Sequence, residues 1–103
     1  MEYCIVITAC DKKEIADKIT EILLNERLVS CVQESKRTSS YHWKGNIERS
    51  DEYILTMKTK KSLYKKVEEK IILFHDYEVP EVIMIDISNG NKDFLKWIDE
   101  ETK

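Results

Sequence analysis

The chain has 103 residues, 42% hydrophobic and 36% charged, with two glycines and one proline; this is the size and make-up of one folded domain spanning 1–103 and excludes a disordered chain. Its net charge of -3 and pI near 5.4, with lysines and acids mixed along the same stretches, show no basic face of the kind nucleic acid requires, so no nucleic-acid partner is expected. The cysteines Cys4, Cys10 and Cys31 are odd in number and lack CxxC spacing, which argues against a disulfide framework or structural zinc and for a reducing, cytoplasmic setting.

In chain order, "YCIVITA" (3–9) is rich in β-branched residues and reads as a buried strand. The start has no basic n-region followed by a long apolar run, so no signal peptide is expected, and no apolar run approaches the roughly 20 residues of a membrane span. Asp11 followed by Glu14 resembles a capping box. Ile15, Ile19, Ile22 and Leu23 then recur at helical spacing, giving a helix that ends near Arg27.

"LVSCVQ" begins a second strand, continued by "ESKRTSSYHW". "KGN" (44–46) is a hairpin turn in which Gly45 and Asn46 tolerate positive φ. "EYILTMKT" (52–59) is a third strand, with Tyr53, Leu55 and Met57 on one face and Ile54, Thr56 and Lys58 on the other. A second helix is expected from Lys60 to His75, with Leu63, Val67, Ile71 and Phe74 as its apolar stripe. "FHDYEVPEV" (74–82) leads out of it, Pro80 biasing Val79 towards extended geometry. "VIMIDIS" is the fourth strand. "NGN" turns the chain into a short final helix carrying Phe94, Leu95 and Ile98.

The order β-α-β-β-α-β, then α, is the ferredoxin-like split pattern of an α+β fold. Right-handed crossovers place both longer helices on one face of an antiparallel sheet of order fourth, first, third, second. The end of the first strand and the beginning of the fourth then lie side by side. Cys10 and the 74–82 stretch should meet there, bringing together a thiol, an imidazole and several carboxylates.

Several stretches together resemble one family. "SSYHWKGNIERSDEYILTMKT" (39–59) is similar to the S-x-Y-x-W-x-G-x-I segment, and following K-T strand end, of the CutA divalent-cation tolerance proteins. "FHDYEVPEV" resembles their H-P-Y-E-x-P-E signature, "DFLKWI" their D-Y-L-x-W ending, "ITACDKKEIADKI" their T-A-P-D opening, and "LVSCV" their L-A-A-C-V. The resemblance runs in order over essentially the whole chain. It implies a ferredoxin-like protomer, a tight homotrimer with PII-like architecture, and a hairpin arm that pairs across subunits. It also implies a role in the response to metal ions, with copper or another divalent metal as the bound species. No organic cofactor and no membrane partner are expected. Cys10 and Asp76 replace prolines of the family pattern. Of the positions matching the copper ligands of some relatives, Ile7, Phe74 and His75, only His75 retains a ligating side chain.

His75 is a candidate metal ligand, with Cys10 as a thiolate that would favour Cu(I). The structural alternative is that His75 caps the second helix as a cation at its negative end. Glu78 and Glu81 are candidates for a ligand cleft between subunits. Tyr41 and Trp43 share a strand face and would line that cleft or pack an interface. Lys58 would pair with a cleft carboxylate, bind an anionic ligand, or simply snorkel. Cys4 and Cys31 read as small buried hydrophobes, and His42 points opposite to Tyr41 and Trp43. An enzyme is not expected. "CDKK" lacks the glycine of an oxyanion-wrapping loop such as that of acylphosphatases, and the third strand lacks the aromatic pattern of RNA-binding sheets. The alternative to a metal-responsive trimer is a stable trimeric scaffold that presents surfaces to other proteins.

Overall fold

A computed structural model describes residues 1–103. The elements are β1 (Tyr3–Cys10), α1 (Lys13–Asn25), β2 (Cys31–Trp43), β3 (Asn46–Lys60), a 3-10 turn (Lys61–Leu63), α2 (Tyr64–Phe74), β4 (Ile83–Ile87) and α3 (Lys92–Glu101). The sheet order is β2-β3-β1-β4, antiparallel throughout, the ferredoxin-like order expected from the element pattern. Sequence periodicity misplaced the boundary after β3. Lys60 is the last strand residue, and the α-helix begins only after the 3-10 turn.

Pleating divides the sheet into two faces. Cys4, Val6 and Cys10 of β1 and Leu55 and Met57 of β3 meet Ala16, Ile19 and Leu23 of α1 and Val67 and Ile71 of α2 in one buried cluster. Leu55 and Met57 are fully buried there. Leu55→Ala is expected to cost about 2–5 kcal/mol, the transfer loss plus a residual cavity; urea unfolding at fixed protein concentration measures it.

The other face holds Ile5 opposite Ile85 and Ile7 opposite Ile83, with Ile54 on the adjoining strand opposite Ala9. Ile83 and Ile85 remain 45% and 47% exposed. Bare isoleucines on a sheet face leave water in contact with apolar surface that another layer would normally cover.

Local chemistry explains most ends. The hairpin from Trp43 to Asn46 has two central residues, Lys44 (φ 48°) and Gly45 (φ 83°), as a right-twisted two-residue hairpin demands. Asn46 is already in the strand, so the left-handed residue beside Gly45 is Lys44. The α1 helix ends with Arg27 left-handed (φ 54°); Leu28 N–H donates to Leu23 O at 2.9 Å and Arg27 N–H to Leu24 O at 3.0 Å, a Schellman arrangement with arginine where glycine is usual. The expected capping box at Asp11 does not form. Lys12 is the N-cap residue and no side chain caps the helix; Asp11 sits one residue too early and faces the Lys12 ammonium at 3.5 Å.

Candidate functional site: an acidic, aromatic cavity beside a buried histidine

The chain does bring Cys10 and His75 together. Cys10 closes β1 and His75 follows the last residue of α2, and Sγ lies 3.7 Å from Nε2 across 65 positions of sequence. The His75 side chain is fully buried. Its two ring nitrogens are both engaged. Nε2 is 2.7 Å from the Ala9 carbonyl oxygen, and Nδ1 is 3.1 Å from the Tyr77 backbone N–H. A carbonyl can only accept and an amide N–H can only donate, so the ring is the neutral tautomer protonated at Nε2. Neither nitrogen has a lone pair free for a metal in this arrangement.

Cys10 is fully buried; burial first, then the carboxylates of Asp76, Asp11, Glu52 and Glu34, push its pKa up to about 12, so it is held as a thiol in this arrangement. No three His, Cys, Asp or Glu side chains are grouped closely enough to hold a metal ion. The residues at this junction therefore do not fit a resident metal. His75 does occupy the C-cap position of α2, with its N–H on Ile71 O at 2.9 Å. Its side chain turns away to β1 as a neutral ring, so it is a staple between elements and not the cationic cap considered from the sequence.

The staple also positions Asp76 and Tyr77. Tyr77 packs its ring 4.5 Å from the His75 ring and donates its hydroxyl to Glu52 Oε2 at 2.7 Å. Burial, followed by the Glu52 carboxylate, raises the Tyr77 phenol well above its ordinary range, which keeps it a donor. Asp76 receives a hydrogen bond from Lys12 Nζ, and that ammonium holds its carboxyl below the usual range. The pair ties the 75–82 connection to the start of α1.

Beside this junction lies a cavity of about 530 Å³. The β2–β3 hairpin contributes Tyr41, Trp43 and Glu52, with Ser39, His42 and Ser50. The 75–82 connection contributes Tyr77, Glu78, Val79 and Glu81, and Ala9 and Asp11 close the end of β1. Four of the candidate residues, Tyr41, Trp43, Glu78 and Glu81, thus share one cavity. Lys58 is not part of it. It lies on the isoleucine face opposite Ile5 and donates to Gln33 Oε1. Two lysines do meet cavity carboxylates: Lys12 Nζ lies 3.5 Å from Asp11, and Lys44 Nζ lies 3.5 Å from Glu78 and 5.5 Å from the Trp43 ring centre. Cys4 is buried as expected, while Cys31 is only half-buried.

Sequence reading missed Glu52, Tyr77 and Asp11. Glu52 is only 7% exposed; it opens the stretch 52–59 read as the third strand, but β3 starts earlier, at Asn46, and the alternation gave no sign of a buried carboxylate in its middle. Tyr77 lay within the signature stretch, where an aromatic between acids was the available signal.

The comparisons agree with this architecture. A model of the family described as CutA1 divalent ion tolerance protein matches residues 4–101. The divalent-cation tolerance protein CutA of Pyrococcus horikoshii is 39% identical over 99 residues, covering 96% of this chain and 97% of that one. The Thermus thermophilus protein of the same name is 35% identical over 103 residues, 99% of each chain. Among solved structures, CutA1 from P. horikoshii superposes with a TM-score of 0.92 at 38% identity, covering 97% of this chain and 98% of that one. A CutA from Archaeoglobus fulgidus, described as periplasmic, superposes with a TM-score of 0.95 at 30% identity over 98% of this chain and 99% of that one. The chain belongs to the CutA1 divalent ion tolerance protein family.

Proposed function

We propose that the protein serves divalent-cation tolerance as a non-enzymatic homotrimer that holds a hydrated cation in the acidic cavity, in a reducing, cytoplasmic setting. The observation that carries this reading is the lining. Asp11, Glu52, Glu78 and Glu81 supply four carboxylates, against only two ammoniums at the rim, Lys12 beside Asp11 and Lys44 beside Glu78. Spread round the walls of a cavity this size, carboxylates suit an ion that keeps part of its water shell, as small divalent cations often do. The isoleucine face of the sheet supports assembly: two further copies would cover the apolar surface that one chain leaves bare.

The test is calorimetric titration of the purified protein with Zn(II) and Cu(II). Glu78→Gln combined with Glu81→Gln should weaken binding about tenfold or more, because two of the charges facing the ion are removed. Cys10→Ala should bind as the parent does. Loss of binding in Cys10→Ala, with the double glutamine variant unaffected, would move the site to the Cys10–His75 junction. A flat titration of a protein that is still trimeric would favour the scaffold reading, which rests on the same isoleucine face.

A further inference from the structure

Building on the reading of the cavity as a cation cleft, we infer that it takes a primary alkylammonium group, and that Lys44 is a tethered occupant of its mouth. The molecule already shows the chemistry. The Lys44 ammonium sits 5.5 Å from the centre of the Trp43 ring and 3.5 Å from Glu78 Oε2. A π face and a carboxylate together are what a desolvating ammonium needs: the ring quadrupole attracts the charge and the carboxylate pairs with it.

A bare divalent ion fits less well, since no three ligating side chains converge. An alkylammonium needs no such convergence. Its charged head requires one or two carboxylates, and its methylene stem requires apolar or aromatic wall. Tyr41, Trp43, Tyr77 and Val79 supply that wall beside Glu78 and Glu81.

The present occupant is displaceable. The Lys44 and Glu78 side chains are 68% and 67% exposed, and an ion pair that open holds weakly. Lys44 also keeps a left-handed backbone (φ 48°) next to Gly45, where asparagine or glycine is the usual choice. Its side chain is thus anchored at a rigid turn within reach of the cavity. A free amine of similar shape would compete with it for Trp43 and Glu78. The same ammonium chemistry could arrive as a free alkylamine or as the lysine of a polypeptide.

The experiment uses the full chain with Trp97→Phe, so that fluorescence reports Trp43 alone. The probes are n-butylammonium, 1,4-diaminobutane and a short lysine-containing peptide, each at matched ionic strength against KCl, with Zn(II) titrated in parallel. The amines should give a saturable change that KCl does not. Lys44→Ala should bind them about threefold tighter, the size expected for removing a weak internal competitor. Glu78→Gln with Glu81→Gln should lose most of the affinity. Binding of the free amines with no response to the peptide identifies a small amine as the ligand; an equal or stronger response to the peptide identifies a protein-borne lysine. No saturable change with any amine, or Lys44→Ala binding no tighter than the parent, overturns the inference. If Zn(II) still binds through Glu78 and Glu81 in that case, the cation cleft stands without it; if Zn(II) also fails, both fall.

Discussion

His75→Ala is expected to destabilise the fold by about 2–4 kcal/mol, a large effect for a residue whose neighbourhood suggests a metal ligand. The substitution removes a fully buried ring and strands two groups at once: the Ala9 carbonyl oxygen and the Tyr77 N–H lose their partners. Each unpaired buried polar group costs about 1–3 kcal/mol, and the missing ring adds a cavity term that partial collapse reduces. Urea unfolding at one fixed protein concentration measures the loss, because an assembling chain gains apparent stability with concentration. His42→Ala, on the exposed hairpin, is the matched control and should stay within about 0.5 kcal/mol. A change equally small at position 75 would show that the ring is not a staple and return it to consideration as a ligand.

Ile85→Glu should dissociate the proposed trimer. Ile85 stands on the apolar sheet face opposite Ile5 and is 47% exposed in the single chain, so the protomer should tolerate the change. Buried between copies, each new carboxylate would lose its water without gaining a partner, at several kcal/mol per subunit. Light scattering should therefore report one 12.2 kDa chain where the parent reports three, with the circular dichroism of the two proteins alike. A variant that stays trimeric would place the interface elsewhere, and a monomeric parent would remove the trimer altogether.

The resemblance to CutA and the element order were both legible in the residues alone. The motifs between Ser39 and Thr59 and between Phe74 and Val82 are short runs whose spacing survives in this chain, and the family match over residues 4–101 spans them both. Strand alternation correctly separated Leu55 and Met57 from Ile54, Thr56 and Lys58. It also placed Tyr41 and Trp43 on one face, and both reach the cavity. The meeting of Cys10 with His75 came from topology alone, since a right-handed split βαβ pattern leaves the end of β1 and the start of β4 adjacent.

The chemistry of that meeting was not legible. A histidine near a thiol and several acids reads as a ligand set. Only the positions of the Ala9 carbonyl and the Tyr77 N–H show both ring nitrogens spoken for. The pairing of Lys44 with Glu78 was equally hidden. The two lie far apart in the chain, and the sequence offered Lys58 as the lysine for the cleft. Lys58 failed because of its place along β3: it shares a sheet face with Glu52, but it pairs with Ile5 and Cys31 near the far end of the strand, away from the Ser50–Glu52 stretch that borders the cavity.

By itself, then, the sequence determined the elements, their order, the sheet and the family. Those depend on periodicity, turn chemistry and local spacing, which neighbouring residues carry with them. The tertiary structure decided that His75 is a neutral staple, that Cys10 is an inert buried thiol, and that the carboxylates face a cavity shared with Trp43 and Tyr77. Those are matters of hydrogen-bond direction, desolvation and register between segments distant in the chain, and they come into being only when the segments pack.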